Sequence, residues 1–324
     1  MVLQVVDDSG MVYTVALCTH NQAQRLRRTL EDLAAVKDPS APWELLIVDN
    51  ASSDETASLI AANYWRKPEW NIRTVYEEKL GLSYARNRAI EDAHGEYIIF
   101  MDDDETPDAD WLIAYESAIE QHHPDALGGR IEVLFEDGER PPWLQDELLG
   151  FLGKLDHGEK PFWLEDSNRL IFGGNFSFRR EIFKKTGLFD CDLGRRGRKN
   201  TGGEDTQMCR RLLTLGCRVR WVPDAVIYHR IQSGKLKRRY FVDLHYRMGF
   251  SQGTSKRGCS RRIPPAYIVP QLWRACMSAL RQRFKHGGDM SLRKEMNVGY
   301  FMGFIMGWLC GRIDTDSGPA GGIS

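Results

Sequence analysis

Apolar positions in the first half of the chain fall into short continuous runs separated by amphipathic stretches. Val12–Cys18 (VYTVALC), Trp43–Val48 (WELLIV), Ile72–Tyr76 and Tyr97–Met101 are β-prone runs bounded by polar or turn residues. That is the pattern of strands buried on both faces. Between the first two, Leu26, Leu30, Leu33 and Ala34 recur at helical spacing, with Arg25, Arg27 and Arg28 off that face. Ser52 or Ser53 can cap a helix after the second strand, with Asp54 and Glu55 at its positive end. A further helix is expected over Gly81–Ala93, and another starting at Thr106–Asp108 and running through Trp111 and Ile119. Strand and helix alternate with short connections, which predicts an α/β fold with an open, mostly parallel, Rossmann-like sheet flanked by helices.

In such sheets ligands bind outside the carboxyl ends of the strands, and polar clusters sit at those ends here. Thr19 and Asn21 follow the first strand, Asp49 and Asn50 the second, and Asp102, Asp103 and Asp104 the fourth. Side chains alternate along a strand, so Asp102 and Asp104 are expected on one side and Asp103 on the other. Like charges aimed at one small volume are tolerated best around a cation or beside water, and oxygen ligands suit Mg2+ or Mn2+.

Past Leu127 the pattern changes. Gly129–Phe135 reads as a strand, and residues 137–165 are rich in Gly, Pro and Trp, including Trp143; a connection this long suggests a lid or binding loop. Leu170–Phe178 reads as a strand interrupted by Gly173 and Gly174, where backbone can approach closely. Arg180–Thr186 is a short helix, and the basic stretch Arg195–Lys199 precedes Thr201–Gly203. Glu204 and Asp205 open a helix to Leu215, a position the helix dipole alone favours for carboxylates. Arg218–Val222 and Ala225–Tyr228 are expected as two short strands, the second ending at His229. The basic run that follows (Lys235, Lys237, Arg238, Arg239) is either a solvated face or a phosphate clamp. In the tail, Val269, Leu272, Trp273, Cys276, Leu280 and Phe284 form one helical stripe with Arg274, Arg281, Arg283 and Lys285 outside it. A second helix with Met296, Phe301, Phe304, Ile305 and Trp308 follows Gly287 and Gly288. Such a pair either packs on the core or lies in the plane of an anionic membrane surface.

Composition narrows the function classes. A formal net charge of -1 over 324 residues gives no global case for nucleic acid. Seven scattered cysteines without a CxxC pair indicate neither a disulfide framework nor a zinc site, and fit reduced thiols. The N-terminus lacks signal-peptide features and no apolar run is long enough to span a bilayer, so a cytoplasmic location is expected, peripheral on the cytoplasmic face of the membrane if the tail takes the second of its two readings. Neither GxGxxG after the first strand nor GxxxxGK[ST] anywhere is present, which counts against a dinucleotide oxidoreductase or a P-loop NTPase.

Several of these motifs, in order, resemble the family 2 glycosyltransferases of the GT-A fold. They are VALCTHN, ELLIVDNASSDET, GLSYARNRAI, GEYIIFMDDDETPDADWL, GGNFSFRREIFKKTGLFD and GGEDTQMCRRLLTLG, and they cover most of the chain from Val12 to Gln252. The resemblance implies a GT-A domain over residues 1–252, with a nucleotide-binding half at 11–125 and an acceptor and catalytic half at 126–252, then a helical tail at 253–324. It implies that Thr19, Asn21, Arg25, Asp49, Asn50, Arg86, Asp102 and Asp103 bind the nucleotide, and that Asp104, Asp102 and His229 hold a divalent metal, Mn2+ or Mg2+. Asp205, with Glu204 as second candidate, is the implied general base, and Gly174, Asn175 and Trp143 lie on the acceptor side. Arg230, Lys235 and Lys237 are candidates to close over the diphosphate. The implied activity is inverting, metal-assisted transfer from a UDP- or other nucleoside-diphosphate sugar to a glycan, lipid-linked or polysaccharide hydroxyl. One departure is Asn50, where some members carry a second acid. A nucleotidyltransferase, or a non-catalytic binding protein of the same fold, is the alternative; the former needs a Gly-rich basic loop after the first strand, and CTHNQAQRLRR has no glycine.

Overall fold

A computed structural model describes residues 10–62, 67–136, 139–165, 169–196, 199–201, 203–257, 263–286 and 291–310. The chain forms two compact units: Met1–Leu134 with Gly153–Arg230, and Phe135–Leu152 with Ile231–Ser324.

The first unit is built on a sheet. Its opening elements are β1 (Tyr13–Thr19), α1 (Ala23–Leu33), β2 (Trp43–Asp49), α2 (Thr56–Ala62), β3 (Asn71–Tyr76), α3 (Leu82–Asp92) and β4 (Tyr97–Asp102). Every residue of β1 is buried, and α1 buries Leu26, Thr29, Leu30 and Leu33, the face the helical spacing marks out. Asp54, not Ser52 or Ser53, caps α2: its Oδ1 accepts from the Thr56 N–H at 3.0 Å. The sequence β3-β2-β1-β4 is parallel throughout.

From there the sheet turns mixed. It continues with β5 (Glu105–Pro107), α4 (Trp111–His122), β6 (Ala126–Phe135), α5 (Asp146–Leu149, in the second unit), β7 (Phe162–Trp163), β8 (Phe176–Arg179), α6 (Phe183–Thr186), the hairpin β9 (Gly194–Arg196) and β10 (Lys199–Thr201), α7 (Glu204–Thr214) and β11 (Val219–Ile231). The order runs on as β8-β6-β11-β5, with β7 also on β11. β8 is antiparallel to both β4 and β6, and β5 and β7 are antiparallel to β11. The parallel run of the first four strands is therefore interrupted at β8, which lies antiparallel to both of its neighbours.

Two local expectations are corrected. Thr106 and Pro107 do not start a helix; they pair with Tyr228 and Ile227 on β11, and α4 begins at Trp111. The two short strands around Pro223 are one strand, β11. Pro223 falls between the stretch paired to β7 (Arg220, Trp221) and the stretch paired to β5 (Ile227–His229), where a missing N–H costs least. Behind the sheet, Phe100, Phe176, Phe178 and Phe189 pack edge-on at 4.7–6.2 Å, apart from the stacked Phe176–Phe189 pair at 6.0 Å.

The second unit is helical. α8 (Arg238–Arg257), α9 (Ile268–His286) and α10 (Leu292–Cys310) are joined by the segment that carries α5. α8 and α10 approach to backbone contact. A Cβ on Gly303 would lie 2.0 Å from the Tyr246 carbonyl oxygen, on Gly307 2.1 Å from that of Phe250, and on Gly249 2.0 Å from that of Tyr300. The register advances together on both helices, so they run parallel. A boundary at 252 would cut α8, whose glycines lock it to α10; the division falls after Arg230 instead. The Trp- and Pro-rich segment is divided: through Leu152 it joins this unit, where Trp143 packs edge-on against Phe241 at 5.7 Å and Phe151 against His245 at 4.7 Å, while from Gly153 it belongs to the sheet unit. Of the two tail helices, α10 buries Met296, Phe304 and Trp308, while Val269, Trp273, Leu280 and Phe284 of α9 stand exposed. Among the described residues no helix is long and apolar enough to cross a membrane.

Candidate active site

The carboxyl ends of β1, β2 and β4 open onto one cavity of about 220 Å3, lined by Thr19, His20, Arg25, Asn50, Gly81 and the three aspartates among others. Its rim is shaped by two turns with left-handed backbone at non-glycine residues, Asn21 (φ 51°) after β1 and Ala51 (φ 55°) after β2. Such conformations persist where surrounding bonds hold them. Here Asn21 Oδ1 accepts from the Ser53 and Asp54 N–H groups at 2.7 and 3.2 Å, tying the first turn to the second. Asn50, buried, donates through Nδ2 to the Glu77 and Lys79 carbonyls and accepts the Gly81 N–H at 2.8 Å. It thereby fixes the loop leading into α3. A depression of about 320 Å3 lies elsewhere, lined by α4 residues, Arg220, Asp110 and Asp224.

The aspartates do not obey strand alternation, because β4 ends at Asp102 and the chain turns at Asp103 and Asp104. All three line the cavity, each with a different partner. Thr19 Oγ1 donates to Asp103 Oδ2 at 2.6 Å. Asp104 Oδ2 lies 3.4 Å from Arg25 Nη1 and 3.4 Å from His229 Nε2. Asp102 Oδ1 lies 3.5 Å from Arg86 Nη2. Burial, with the adjacent Asp104 charge, pushes the Asp103 carboxyl up to about 7. Beneath the turn sits Glu105, buried, whose Oε2 accepts the Asp102 N–H at 2.8 Å. Burial, then the charge of Asp102, raises its carboxyl well above the usual range.

Arg86, on α3, connects this turn to the head of α7. Its guanidinium is 2% exposed and contacts Asp102, Glu204 Oε1 (3.4 Å) and Asp205 Oδ1 (2.5 Å), over the rings of Phe176 and Phe189 at 5.2 and 5.6 Å. Burial alone would lower the Arg86 pKa, but the surrounding carboxylates raise it above its ordinary value. Asp205 Oδ2 accepts the Gly173 N–H at 2.9 Å. That approach requires glycine: a Cβ there would lie 2.1 Å from Arg86 Nη2 and 2.6 Å from Asp205 Oδ2. Of the two acids, Asp205 has the more accessible side chain, 21% against 5% for Glu204. The result is a water-facing carboxylate held by two donors, on the same guanidinium as the first aspartate of the turn.

Residues 14–187 match glycosyl transferase family 2, which is more than half of the chain. The chain belongs to that family. It is 26% identical over 261 residues to a glucosyl-dolichyl phosphate glucuronosyltransferase of Haloferax volcanii, covering 79% of this chain and 80% of the relative. It is 24% identical over 241 residues to the succinoglycan biosynthesis protein ExoM of Rhizobium meliloti, covering 74% and 73%. Among solved structures, the fold is similar to the mannosyltransferase PcManGT of Pyrobaculum calidifontis in complex with GDP-Man and Mn2+ (TM-score 0.58, 17% identity, 92% of this chain and 87% of that one). It is also similar to S. aureus TarS residues 1–349 in complex with UDP-GlcNAc (TM-score 0.51, 16% identity, 91% of each). The fold is GT-A, the protein is a glycosyltransferase, and the nucleotidyltransferase alternative is set aside.

Within this glycosyltransferase, Thr19, Arg25, Asn50, Asp102, Asp103, Asp104 and His229 gather at or beside the cavity, and Arg86, Glu204 and Asp205 join them through the guanidinium. Asp49, buried, accepts the Ser52 N–H at 3.0 Å and so shapes the second turn. Other assignments are corrected. Arg230 is no mobile clamp: it is buried and donates to Asp32 Oδ2 (2.7 Å), Thr106 Oγ1 (3.0 Å) and Thr29. Asn175 does not face an acceptor: it is fully buried, accepting from Trp111 Nε1 and the Tyr115 hydroxyl and donating to the Arg130 and Ala225 carbonyls, all at 2.8–2.9 Å. Gly174 is buried against Glu105, where a Cβ would lie 2.0 Å from Oε1; the glycine at the site is Gly173. Trp143, Lys235 and Lys237 lie in the helical unit. Glu105 is a site residue without an assignment from the sequence, although it is legible there as a fourth acid in the DDDE run. Arg86, expected at the nucleotide, is instead buried between Asp102, Glu204 and Asp205, a bridging role with no local signal.

A divalent ion can be tested against the donor set. Among the described residues no three His, Cys, Asp or Glu side chains already converge as a metal cage. Asp104 and His229 nevertheless present an oxygen and an imidazole nitrogen 3.4 Å apart, and four carboxylates (Asp102, Asp104, Glu204, Asp205) meet two guanidiniums, Arg25 and Arg86. That excess of negative charge fits a cation. Two protein ligands suit an ion that completes its shell with phosphate and water.

Proposed function

We propose that this glycosyltransferase takes its sugar from a nucleoside-diphosphate donor and transfers it, with inversion, to a hydroxyl of a lipid-linked or growing saccharide. The observation that carries the proposal is the Arg86 bridge, which puts a donor-side carboxylate, Asp102, and an acceptor-side carboxylate, Asp205, on one buried cation. The nucleotide occupies the cavity between Thr19, His20 and Gly81, with the diphosphate at the Asp102–Asp104 turn. Asp104 and His229 would hold a divalent ion, Mn2+ or Mg2+, which when bound supplies positive charge to the departing diphosphate. Arg25 adds charge at the same place.

Asp205 takes the proton from the acceptor hydroxyl as its oxygen attacks the anomeric carbon, and the bond to the diphosphate breaks on the opposite face. Arg86 and the Gly173 N–H fix the orientation of that carboxylate, leaving lone pairs on both oxygens for the incoming hydroxyl. Glu204, nearly buried, holds Arg86 in place and does not reach the acceptor. The lipid-linked acceptor class is supported by the Haloferax volcanii relative, and the donor class by the nucleotide-sugar complexes of PcManGT and TarS.

Thermal unfolding in the presence of UDP- and GDP-sugars, with and without Mn2+, tests the donor class. A ligand at a hundred times its Kd stabilises by about 2.7 kcal/mol. One donor is expected to raise the Tm, more strongly with Mn2+; no shift with any nucleotide-sugar would contradict the proposal.

A further inference from the structure

The helical unit carries a surface that transfer chemistry does not use. On α9, Val269, Trp273, Leu280 and Phe284 recur at helical spacing and form one stripe along the helix. They are left uncovered, with Trp273 66% and Phe284 88% exposed, while the opposite side of α9 is the one buried at Ile268 against Phe304 and Trp308. Burying a Trp and a Phe is among the largest hydrophobic gains available to a fold, so a folded chain that leaves both outside, in register, has a surface awaiting an occupant.

The charge around the stripe decides which occupant. α9 carries four basic residues, Arg274, Arg281, Arg283 and Lys285, and no Asp or Glu. Across α8, α9 and α10 there are eleven Arg or Lys and two acids, in a chain whose formal net charge is -1. The basic charge is thus concentrated on the unit with the uncovered apolar face. Arg283 lies 3.8 Å from Glu295. Arg274, Arg281 and Lys285 sit about 90–130° around the helix from the centre of the stripe, close enough for their long side chains to reach the level of a surface into which the stripe is pressed. A second copy fits poorly, since a two-fold contact through this face would bring two acid-free basic helices together. A spanning role is excluded for the described helices by length and polarity.

We propose that α9 lies in the plane of an anionic phospholipid surface, with Trp273, Leu280 and Phe284 in the acyl boundary and Arg274, Arg281 and Lys285 at the head groups. An apolar stripe supplies insertion and a basic flank supplies preference for anionic lipid, the two requirements of an in-plane helix. The surface is independent of the donor and of the base assigned to transfer.

Flotation of the full chain with phosphatidylcholine vesicles, and with vesicles in which phosphatidylglycerol makes up about a third of the lipid, tests this. Binding to the anionic vesicles is expected to exceed that to the zwitterionic ones by at least about tenfold and to weaken with salt. Trp273→Ser with Phe284→Ser should lower binding by a further factor of about ten or more. Both side chains are exposed, so the helical circular dichroism signal should not change. Arg274→Gln with Arg281→Gln should remove the lipid preference. Failure of the wild-type chain to float with anionic vesicles would overturn the proposal, as would equal flotation of the Trp273/Phe284 variant. A wild-type dimer that this variant converts to a monomer, without vesicle binding, would assign the surface to a second copy instead.

Discussion

At the carboxyl end of the sheet, Arg86 is 2% exposed and holds three carboxylates, whereas on α9 Trp273 and Phe284 stand 66% and 88% exposed. The first arrangement is costly in isolation, since a buried charge is tolerated only when paired and hydrogen-bonded. The second forgoes burial that the fold had available. The sheet unit holds charge inside to fix the geometry of a reaction. The helical unit pairs α8 and α10 by backbone contact and buries Phe304 and Trp308, yet leaves the apolar stripe of α9 facing outward. Polarity inside and apolarity outside both mark function, one by pre-organisation and the other by readiness to bind.

Each half of that contrast can be broken separately. The largest effect is expected from Arg86→Ala, which leaves Asp102, Glu204 and Asp205 facing one another around an empty site. Removing one partner from a buried ion pair costs about 3–5 kcal/mol, so urea unfolding should show a loss of that size and transfer should be abolished. Arg86→Lys, with a point charge in place of the planar fork, should recover stability better than activity. Next is Asn175→Ala, which strands the Trp111 N–H and the Tyr115 hydroxyl, at about 1–3 kcal/mol for each group left unpaired. A loss of stability together with an altered acceptor preference would restore Asn175 to the site and contradict its assignment to the core.

On the helical side, Gly303→Ala places a methyl 2.0 Å from the Tyr246 carbonyl oxygen and should cost about 1–3 kcal/mol. A neutral outcome would mean that the helices are not in backbone contact. The smallest effect concerns Asp103. Its carboxyl is pushed up to about 7 in the folded chain, above the ordinary value of about 3.9. A raised folded value contributes stability that is full below about pH 4 and is lost as pH rises through about 7. Nucleotide-free protein should therefore lose stability over that window, and Asp103→Asn, which keeps an oxygen for the Thr19 hydroxyl, should flatten the profile.

What was legible in the sequence follows from the range of the forces involved. β1 to β4, α1 and α3 are visible because each is set by a local period of apolar residues. The polar ends of those strands, from Thr19 to Asp104, were legible for the same reason. β5 and the unbroken β11 were not, because the pairing of Thr106 with Tyr228 overrides local helix signals. Asp102 and Asp104 do not share one side against Asp103, because the strand ends at Asp102 and the chain has already turned. Arg86 and Glu204 are 118 residues apart and nothing in either neighbourhood announces the pair. Arg230 was misread in the opposite sense: it begins a basic run, yet its partner Asp32 lies 198 residues earlier and draws it into the interior.

In the proposed mechanism Asp205 accepts the proton, oriented by Arg86 and Gly173. Asp205→Asn keeps the size and the oxygen that meets Gly173 but cannot take a proton, and removal of a general base typically costs about a hundredfold to ten-thousandfold in rate. Single-turnover transfer, measured beside nucleotide-sugar affinity in the same variant, tests this directly. Transfer is expected to fall by at least that factor while donor affinity stays within a few-fold of wild type. Turnover near the wild-type rate with unchanged affinity would show that another group carries the proton.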